Sequence, residues 1–339
     1  MIIALDAMGG DFAPVSTVEG AIFAARESRH KILLVGSEKI IAEELLKQSK
    51  QYSFVSLDNI KIVNATEFVT MDEHPAKAIR QKKDSSLSVC ARLVAEGKAD
   101  AFVSMGNSGA AMSAALFYLK RIEGVLRPAI STAFPSVNGY CIIADMGANV
   151  DCVPEYLLQF GIMASLFCEK VTGVKNPRIG LVSIGEEPTK GNELTLAAFD
   201  LLRKAEINFI GNVEGGDIVK DKVDVAVCDG FVGNVILKFG EGLTEMMLKL
   251  VRKEVKQHPI TWASLPFLWL AIRDLRKKVD YSESGGAPLL GVDGVCIIGH
   301  GKSNGKAVKN AILAGARAAE HNLAVEIKEA IARYNNKVM

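Results

Sequence analysis

The sequence predicts an α/β fold in three layers, α/β/α, with a mostly parallel mixed sheet and helices on both of its faces. Three observations predict it. Short apolar runs of strand length alternate with longer helical stretches, the pattern of βα repeats around a parallel sheet. Most of the short runs are dense in Val, Ile and Leu without alternation, as in strands buried on both faces. The region 129–146 breaks the rhythm, with two strand-like runs around Pro135-Ser136-Val137-Asn138-Gly139. That turn signal marks a hairpin, hence a mixed sheet.

The predicted strands, in order, are Ile2 to Ala7, Lys31 to Ser37, Asn59 to Ala65, Ala101 to Met105, Tyr140 to Met146, Arg178 to Ile184, Val223 to Asp229 and Val295 to Gly299. Between them, Pro14 to Ser28 reads as a helix with proline in its first turn. Ser85 to Gly97 has a polar start and a glycine stop. Glu241 to Lys256 reads as a long helix, followed by the apolar stretch Ile260 to Ile272 and the basic run Arg273 to Lys278. We read 241–280 as a helical hairpin with an apolar tip, inserted into a single α/β catalytic unit spanning 1–339. No repeat or low-complexity tract interrupts it.

Of the 339 residues, 49% are hydrophobic and 23% charged, a globular balance rather than a disordered one. A net charge of +1 provides no global field to draw nucleic acid. The opening Ile2-Ile3-Ala4-Leu5 is strand-like rather than a signal peptide, and no apolar run reaches the roughly 20 residues of a membrane-spanning helix. Cys90, Cys141, Cys152, Cys168, Cys228 and Cys296 form no C-x-x-C pair, and most lie in apolar segments as buried thiols. The five histidines are scattered, so no metal site is expected. A cytoplasmic protein fits these features.

Chemistry is expected in the glycine-rich loops that follow the strands. They are Asp6-Ala7-Met8-Gly9-Gly10-Asp11, Ser104-Met105-Gly106-Asn107-Ser108-Gly109, Asp145-Met146-Gly147-Ala148-Asn149, Ser183-Ile184-Gly185-Glu186-Glu187, Asp229-Gly230-Phe231-Val232-Gly233-Asn234 and Gly299-His300-Gly301-Lys302-Ser303. In a parallel sheet such loops gather along one edge and converge on one cleft, where amides at helix starts make an anion site. Taken singly, each loop reads first as a tight turn; several in one chain point to a shared cleft. A P-loop fails because Cys296 stands at its first glycine position, and no G-x-G-x-x-G follows the first strand. No G-x-S-x-G elbow is present, so a substrate that supplies its own nucleophile, such as phosphate, fits better than a serine acyl-enzyme.

These loops resemble those of the PlsX family, the acyl-ACP:phosphate acyltransferases. The resemblance rests on Ile3 to Asp11; on Glu73-His74-Pro75 with Arg80, Lys82, Lys83, Asp84, Ser85 and Ser86; and on Ser104 to Ala110. It continues through Ile184 to Glu187 with Lys190-Gly191-Asn192, Gly211 to Gly215, Asp229 to Asn234, and Gly285-Gly286-Ala287-Pro288-Leu289-Leu290-Gly291. It implies the fold of phosphate acetyltransferases and of the isocitrate/isopropylmalate dehydrogenase group, with a cleft and a homodimer. It implies transfer of a long-chain acyl group from acyl carrier protein to inorganic phosphate, without organic cofactor or metal. A membrane acyltransferase then uses the acyl phosphate to acylate glycerol 3-phosphate in phospholipid synthesis.

That reaction must position phosphate, stabilise an oxyanion and release a thiolate, which leaves readily. Lys190, beside Glu186 and Glu187, is the candidate cation. Asn107 and Asn234 are candidate donors, and Asp229 and His300 candidates to orient a donor or accept a proton. Asp6, Gly9, Gly10, Asp11, Gly106, Asn107, Ser108, Glu186, Gly230, Gly285, Gly286 and Gly301 are candidate substrate-binding positions. Lys190 is equally compatible with a solvated lysine at a helix start, Asp229 with a helix cap, and His300 with a structural histidine. Arg80, Lys82 and Lys83, or Arg273, Arg276, Lys277 and Lys278, offer basic faces to an acidic carrier protein; each is also an ordinary solvated cluster.

Trp262, Leu265, Phe267, Leu268 and Trp269 form an apolar tip flanked by lysines and arginines. Tryptophan favours the bilayer interface and basic residues favour anionic headgroups, so the tip is expected to dip into the inner face of the cell membrane without crossing it. A buried dimer contact is the other reading. Two other functions remain open: a short-chain phosphotransacetylase using coenzyme A, and a non-enzymatic membrane-associated scaffold that binds phosphate.

Overall fold

A computed structural model of the chain describes residues 1–52, 56–257 and 285–338. The strands among them are β1 (Ile2–Asp6), β2 (Lys31–Gly36), β3 (Ile60–Asn64), β4 (Ala101–Ser104), β5 (Ala129–Pro135), β6 (Tyr140–Ala144), β7 (Ile179–Val182), β8 (Phe209–Val213), β9 (Val225–Val227), β10 (Ala287–Leu290) and β11 (Val295–Ile298). They form one sheet in the order β3-β2-β1-β4-β11-β10-β5-β6-β9-β7-β8. The predicted strands and the hairpin are all present. Phe209–Val213 and Ala287–Leu290 are additions, in stretches the sequence presents as glycine-rich motifs.

Residues alternate across this sheet, and both of its faces are buried. Ile3, Leu5, Ile32, Leu34, Val103 and Ile297 join one core. Their neighbours Ala4, Val35, Phe102, Cys296 and Ile298 join a second, on the other face. This is why the runs show no polar alternation. On the first face lie α1 (Val15–Glu27), α2 (Glu38–Gln51), α6 (Pro154–Phe167), α7 (Glu193–Lys204), α10 (Gly305–Glu320) and α11 (Leu323–Val338). On the other lie α3 (Pro75–Gln81), α4 (Ser86–Ala95) and α5 (Ser108–Ala114), then α8 (Gly215–Val219) and α9 (Gly230–Gln257). Five of the six cysteines are buried, Cys152 is partly so, and all are free thiols.

Caps fix where the helices begin. Ser85 accepts the Ser88 N–H at 3.3 Å to start α4, and Asn304 accepts the Ala307 N–H at 2.9 Å to start α10. The long helix read from Glu241 begins eleven positions earlier, at Gly230. The remainder of the expected hairpin, including Trp262, Leu265, Phe267, Leu268, Trp269 and the basic run 273–278, lies outside the described residues.

Strand direction decides where the loops go. Strands β3, β2, β1, β4 and β11 are mutually parallel, as are β6, β9, β7 and β8. Between the two groups lie three successive antiparallel pairings, β11–β10, β10–β5 and β5–β6. An odd number of reversals points the two groups in opposite directions. The carboxyl ends of β1, β4 and β11 therefore line one edge of the sheet, and those of β6, β9, β7 and β8 line the other. The expectation that all the loops share one edge is corrected by this reversal.

At the start of the second group, the Arg178 guanidinium forms a bidentate pair with Asp224, both contacts 3.0 Å. Burial raises the Asp224 pKa, but hydrogen bonds from Arg178 outweigh it and hold the carboxyl below its ordinary 3.8. Arg178→Ala should cost about 1–2 kcal/mol at neutral pH, an estimate for a partly exposed, charge-assisted pair. A group with a lowered folded-state pKa stabilises fully above its unfolded value and less as pH falls through the folded one. The stability gap to the wild type should therefore be constant above about pH 5 and shrink below pH 4. Urea titrations across that range check it; a gap that widens in acid contradicts the assignment.

Candidate functional site

The first edge is organised by one buried carboxylate. Asp6, 3% exposed, ends β1 and accepts hydrogen bonds from Ser86 Oγ at 2.6 Å, Ser104 Oγ at 2.7 Å and the Met8 N–H at 3.3 Å. Ser104 Oγ in turn accepts the Gly106 N–H at 3.1 Å. Burial pushes the Asp6 carboxyl above the ordinary range, and the two serines partly offset it. A Cβ at Gly9 would overlap the Asp6 carboxylate, so only glycine fits there. The third loop is tied in by the Asp11 N–H, which donates to the Gly301 carbonyl at 2.8 Å. Asp6, Gly9, Gly10, Asp11, Gly106, Asn107, Ser108, His300 and Gly301 are thus brought together.

Their roles differ in detail. Asn107 Oδ1 caps α5 through the Ala110 N–H at 3.0 Å, and its Nδ2 donates to the carbonyls of Met71 and Glu73 at 3.1 and 3.2 Å. Its amide is occupied in structure. The first residues of α5, Ser108 and Gly109, have no carbonyl one turn back and present orphan N–H groups. His300 is exposed, and its Nδ1 accepts the Lys302 N–H at 3.2 Å. Gly285 lies on the same edge but is buried against the backbone of Asn310 in α10, and Gly286 sits against Ile297 and Ile298; both serve packing.

The segment leading into α3, which includes the Glu73-His74-Pro75 motif, forms a wall along this edge. The segment 67–75 is held by the Asn107 amide, and the Met71 methyl lies 3.0 Å from where a Gly301 Cβ would stand. Lys82 Nζ bonds Glu73 at 2.7 Å and the Phe68 carbonyl at 2.9 Å, and its ammonium holds the Glu73 carboxyl below the usual range.

The second edge holds Lys190, Glu186, Asp229, Gly230 and Asn234. It too is built on a buried carboxylate, Asp145, with no exposed surface. Asp145 Oδ1 accepts the N–H groups of Ile130 at 2.9 Å and Met146 at 2.7 Å; Oδ2 accepts the Asn149 N–H at 2.6 Å and its Nδ2 at 2.9 Å. Burial raises its pKa, against the Asn149 hydrogen bonds. Asp145 was not singled out, although Asp6-Ala7-Met8-Gly9 and Asp145-Met146-Gly147 share an Asp–Met–Gly order that signals it.

Asp229 accepts the Val232 N–H at 2.8 Å and so caps α9, while the Gly230 N–H donates to the Asn149 carbonyl at 2.7 Å. Much of the α9 amino terminus is thereby already satisfied. Asn234 is exposed beside Gly147. Glu186 pairs with Lys222 at 2.6 Å rather than with Lys190. Lys190 is exposed, in a turn pinned by the Asn212 Nδ2, which donates to the Glu187 carbonyl at 2.9 Å. Its ammonium meets no carboxylate within ion-pair distance among the described residues.

Helix α9 begins at the second edge; further along it, Lys249 and, more weakly, Lys302 lower the Glu245 pKa.

Among the described residues, the geometry therefore offers helix-start amides and an unpaired cation. It offers no activated nucleophile among the described residues. Ser86 and Ser104 give their hydroxyl protons to Asp6, and burial raises every cysteine pKa, that of partly exposed Cys152 to about 11.

The family described as "Fatty acid synthesis protein" matches residues 1–326. The chain is 83% identical over 339 residues to the phosphate acyltransferase of Endomicrobium trichonymphae, covering 100% of both chains. The chain belongs to the phosphate acyltransferase family. A second member, from Pelotomaculum thermopropionicum, is 49% identical over 331 residues, 98% of this chain and 95% of its own. Among solved structures, a phosphotransacetylase from Streptococcus pyogenes aligns with TM-score 0.63 at 16% identity, and the EutD phosphotransacetylase of Staphylococcus aureus with 0.60 at 14%; each alignment covers 94% of both chains. At that identity the likeness is one of fold. The phosphate acyltransferase fold is thus an α/β sandwich shared with phosphotransacetylases, and the chain is an acyltransferase of lipid biosynthesis.

Proposed function

We propose that the enzyme transfers a long-chain fatty acyl group from acyl carrier protein to inorganic phosphate, giving acyl phosphate for phosphatidic acid synthesis. The full-length identity to phosphate acyltransferases carries this reading. The donor set supports it: amides suit an anion, and the missing nucleophile is the phosphate itself. A phosphate oxygen attacks the thioester carbonyl, the carbon–sulfur bond breaks, and the carrier's thiolate leaves. Lys190 and Asn234 stabilise the oxyanion, Asp229 orients the start of α9, and His300 and the first-edge loops bind the substrate.

A homodimer reconciles the two edges, with the second edge of one protomer facing the first edge of its partner. The exposed side chains of Phe231, Val235, Phe239, Leu243, Met246 and Leu250 support it. They recur every three or four residues along α9, and a contiguous apolar stripe of this kind marks an interface. Membrane contact rests on the apolar tip around Trp262 and Trp269, and release there hands a reactive amphiphile to a membrane glycerol-3-phosphate acyltransferase. No described helix is long and apolar enough to cross a bilayer. The test is to incubate the enzyme with long-chain acyl-ACP and to measure free thiol. Release is expected only with phosphate present; equal release in its absence makes the protein a thioesterase.

A further inference from the structure

We infer that the exposed face of α3, with the residue that follows it, docks the protein part of the acyl donor: an acidic carrier guided by Lys77, Arg80 and Lys83. The inference deepens the acyl-carrier reading above and rests on it for the identity of the partner.

Four observations point to this face. First, α3 is placed against the first edge: Pro75, its first residue, is the neighbour a Cβ on Gly109 would meet at 2.8 Å. Second, its inner side is anchored by buried Ala78 and Ile79, which leaves Lys77 and Arg80 exposed one turn apart, with exposed Lys83 just beyond. Third, two of the carboxylates close by are already engaged. Glu73 is taken by Lys82 and by the Thr70 N–H at 2.8 Å, and Asp84 by the Thr66 hydroxyl at 2.7 Å. Lys77, Arg80 and Lys83 have no such partner among the described residues, so their charge is available to a ligand. Lys82 is not, which separates it from the cluster that its sequence position suggests.

The fourth observation distinguishes a carrier from an arbitrary acidic protein. The wall also exposes two large apolar side chains, Phe68 at 47% and Met71 at 45%. Met71 faces Gly301, and Lys82 fixes the backbone of Phe68. A partner that brings acidic surface and an apolar chain together matches both parts at once. The charges steer encounter, and the apolar pair offers the first carbons of the chain a surface out of water.

The experiment compares two triple charge reversals. Lys77→Glu/Arg80→Glu/Lys83→Glu alters the proposed face. Lys39→Glu/Lys47→Glu/Lys50→Glu makes the same charge change on α2, on the opposite face of the sheet. Binding of labelled acyl carrier protein is titrated at low and high salt, and turnover is measured with acyl-ACP and with the acyl thioester of pantetheine alone. The α3 variant should bind the carrier about 10-fold more weakly or worse at low salt, with the difference shrinking as salt screens it. Its KM for acyl-ACP should rise in parallel, while turnover of the pantetheine thioester stays within about twofold. The α2 variant should bind like the wild type. Equal binding by the α3 variant, equal losses in both variants, or a matching loss with the pantetheine thioester overturns the inference. A wild-type protein that binds carrier through α3 but releases no thiol with phosphate leaves the docking face standing and removes the reaction.

Discussion

Asp6→Ala is expected to lower stability by about 2–4 kcal/mol and turnover by about 10²-fold. The substitution removes the acceptor of two buried serine hydroxyls and of one partly buried backbone N–H. Each donor left without a partner costs about 1–3 kcal/mol; recovering the carboxylate's own burial cost offsets part of the total. For a chain of this size the melting temperature should fall by roughly 3–6 °C. Asp6→Asn separates shape from charge. Because burial raises the Asp6 pKa, the folded protein holds this proton more tightly than the unfolded chain. Wild-type stability should therefore fall, relative to the asparagine variant, as pH rises from about 4 through the raised value, and then level off. Thermal melts of the variants, with phosphate-dependent thiol release, check this. A stable, active alanine variant would mean that the loop is held by other contacts.

Lys190→Ala should act in the opposite manner. Turnover should drop by about 10²-fold, the loss expected for one transition-state charge donor, while the melting temperature stays within about 1 °C. The side chain is exposed and without an ion-pair partner among the described residues, so folding loses little with it. The loss should appear in kcat rather than in the KM for acyl-ACP. If the site is shared between protomers, mixed dimers made by co-expressing Lys190→Ala and Gly9→Ala chains should recover activity that neither has alone. Wild-type turnover in a folded Lys190→Ala variant returns the residue to a solvated surface lysine.

The sequence made most strands legible because burial on both faces leaves runs such as Ile32-Leu33-Leu34-Val35 with no polar residue. Two strands escaped because their composition argues against them: β8 carries Gly211, and β10 carries Pro288 deep in the sheet. Direction is absent from such runs. The hairpin at 129–146 was visible, but the antiparallel insertion of β10 was not, and the reversals divide the loops between two edges. Within each edge, sequence marked the glycines and missed why they are there. Gly9 yields to a buried carboxylate, and Gly233 to the Asp145 carbonyl that a Cβ would overlap. Partners distant in the chain were equally hidden. Asp6 meets Ser104 across 98 residues, and Glu186 finds Lys222 instead of Lys190.

The central claim is that phosphate, and not water or a protein side chain, receives the acyl group. The most direct measurement follows the acyl group itself. The enzyme is incubated with acyl-ACP and phosphate, hydroxylamine is added to trap acyl phosphate as the hydroxamate, and free thiol is counted in the same sample. One hydroxamate per thiol released, with none formed when phosphate is left out, is the predicted result. Thiol accompanied by free fatty acid and no phosphate-dependent hydroxamate would contradict it.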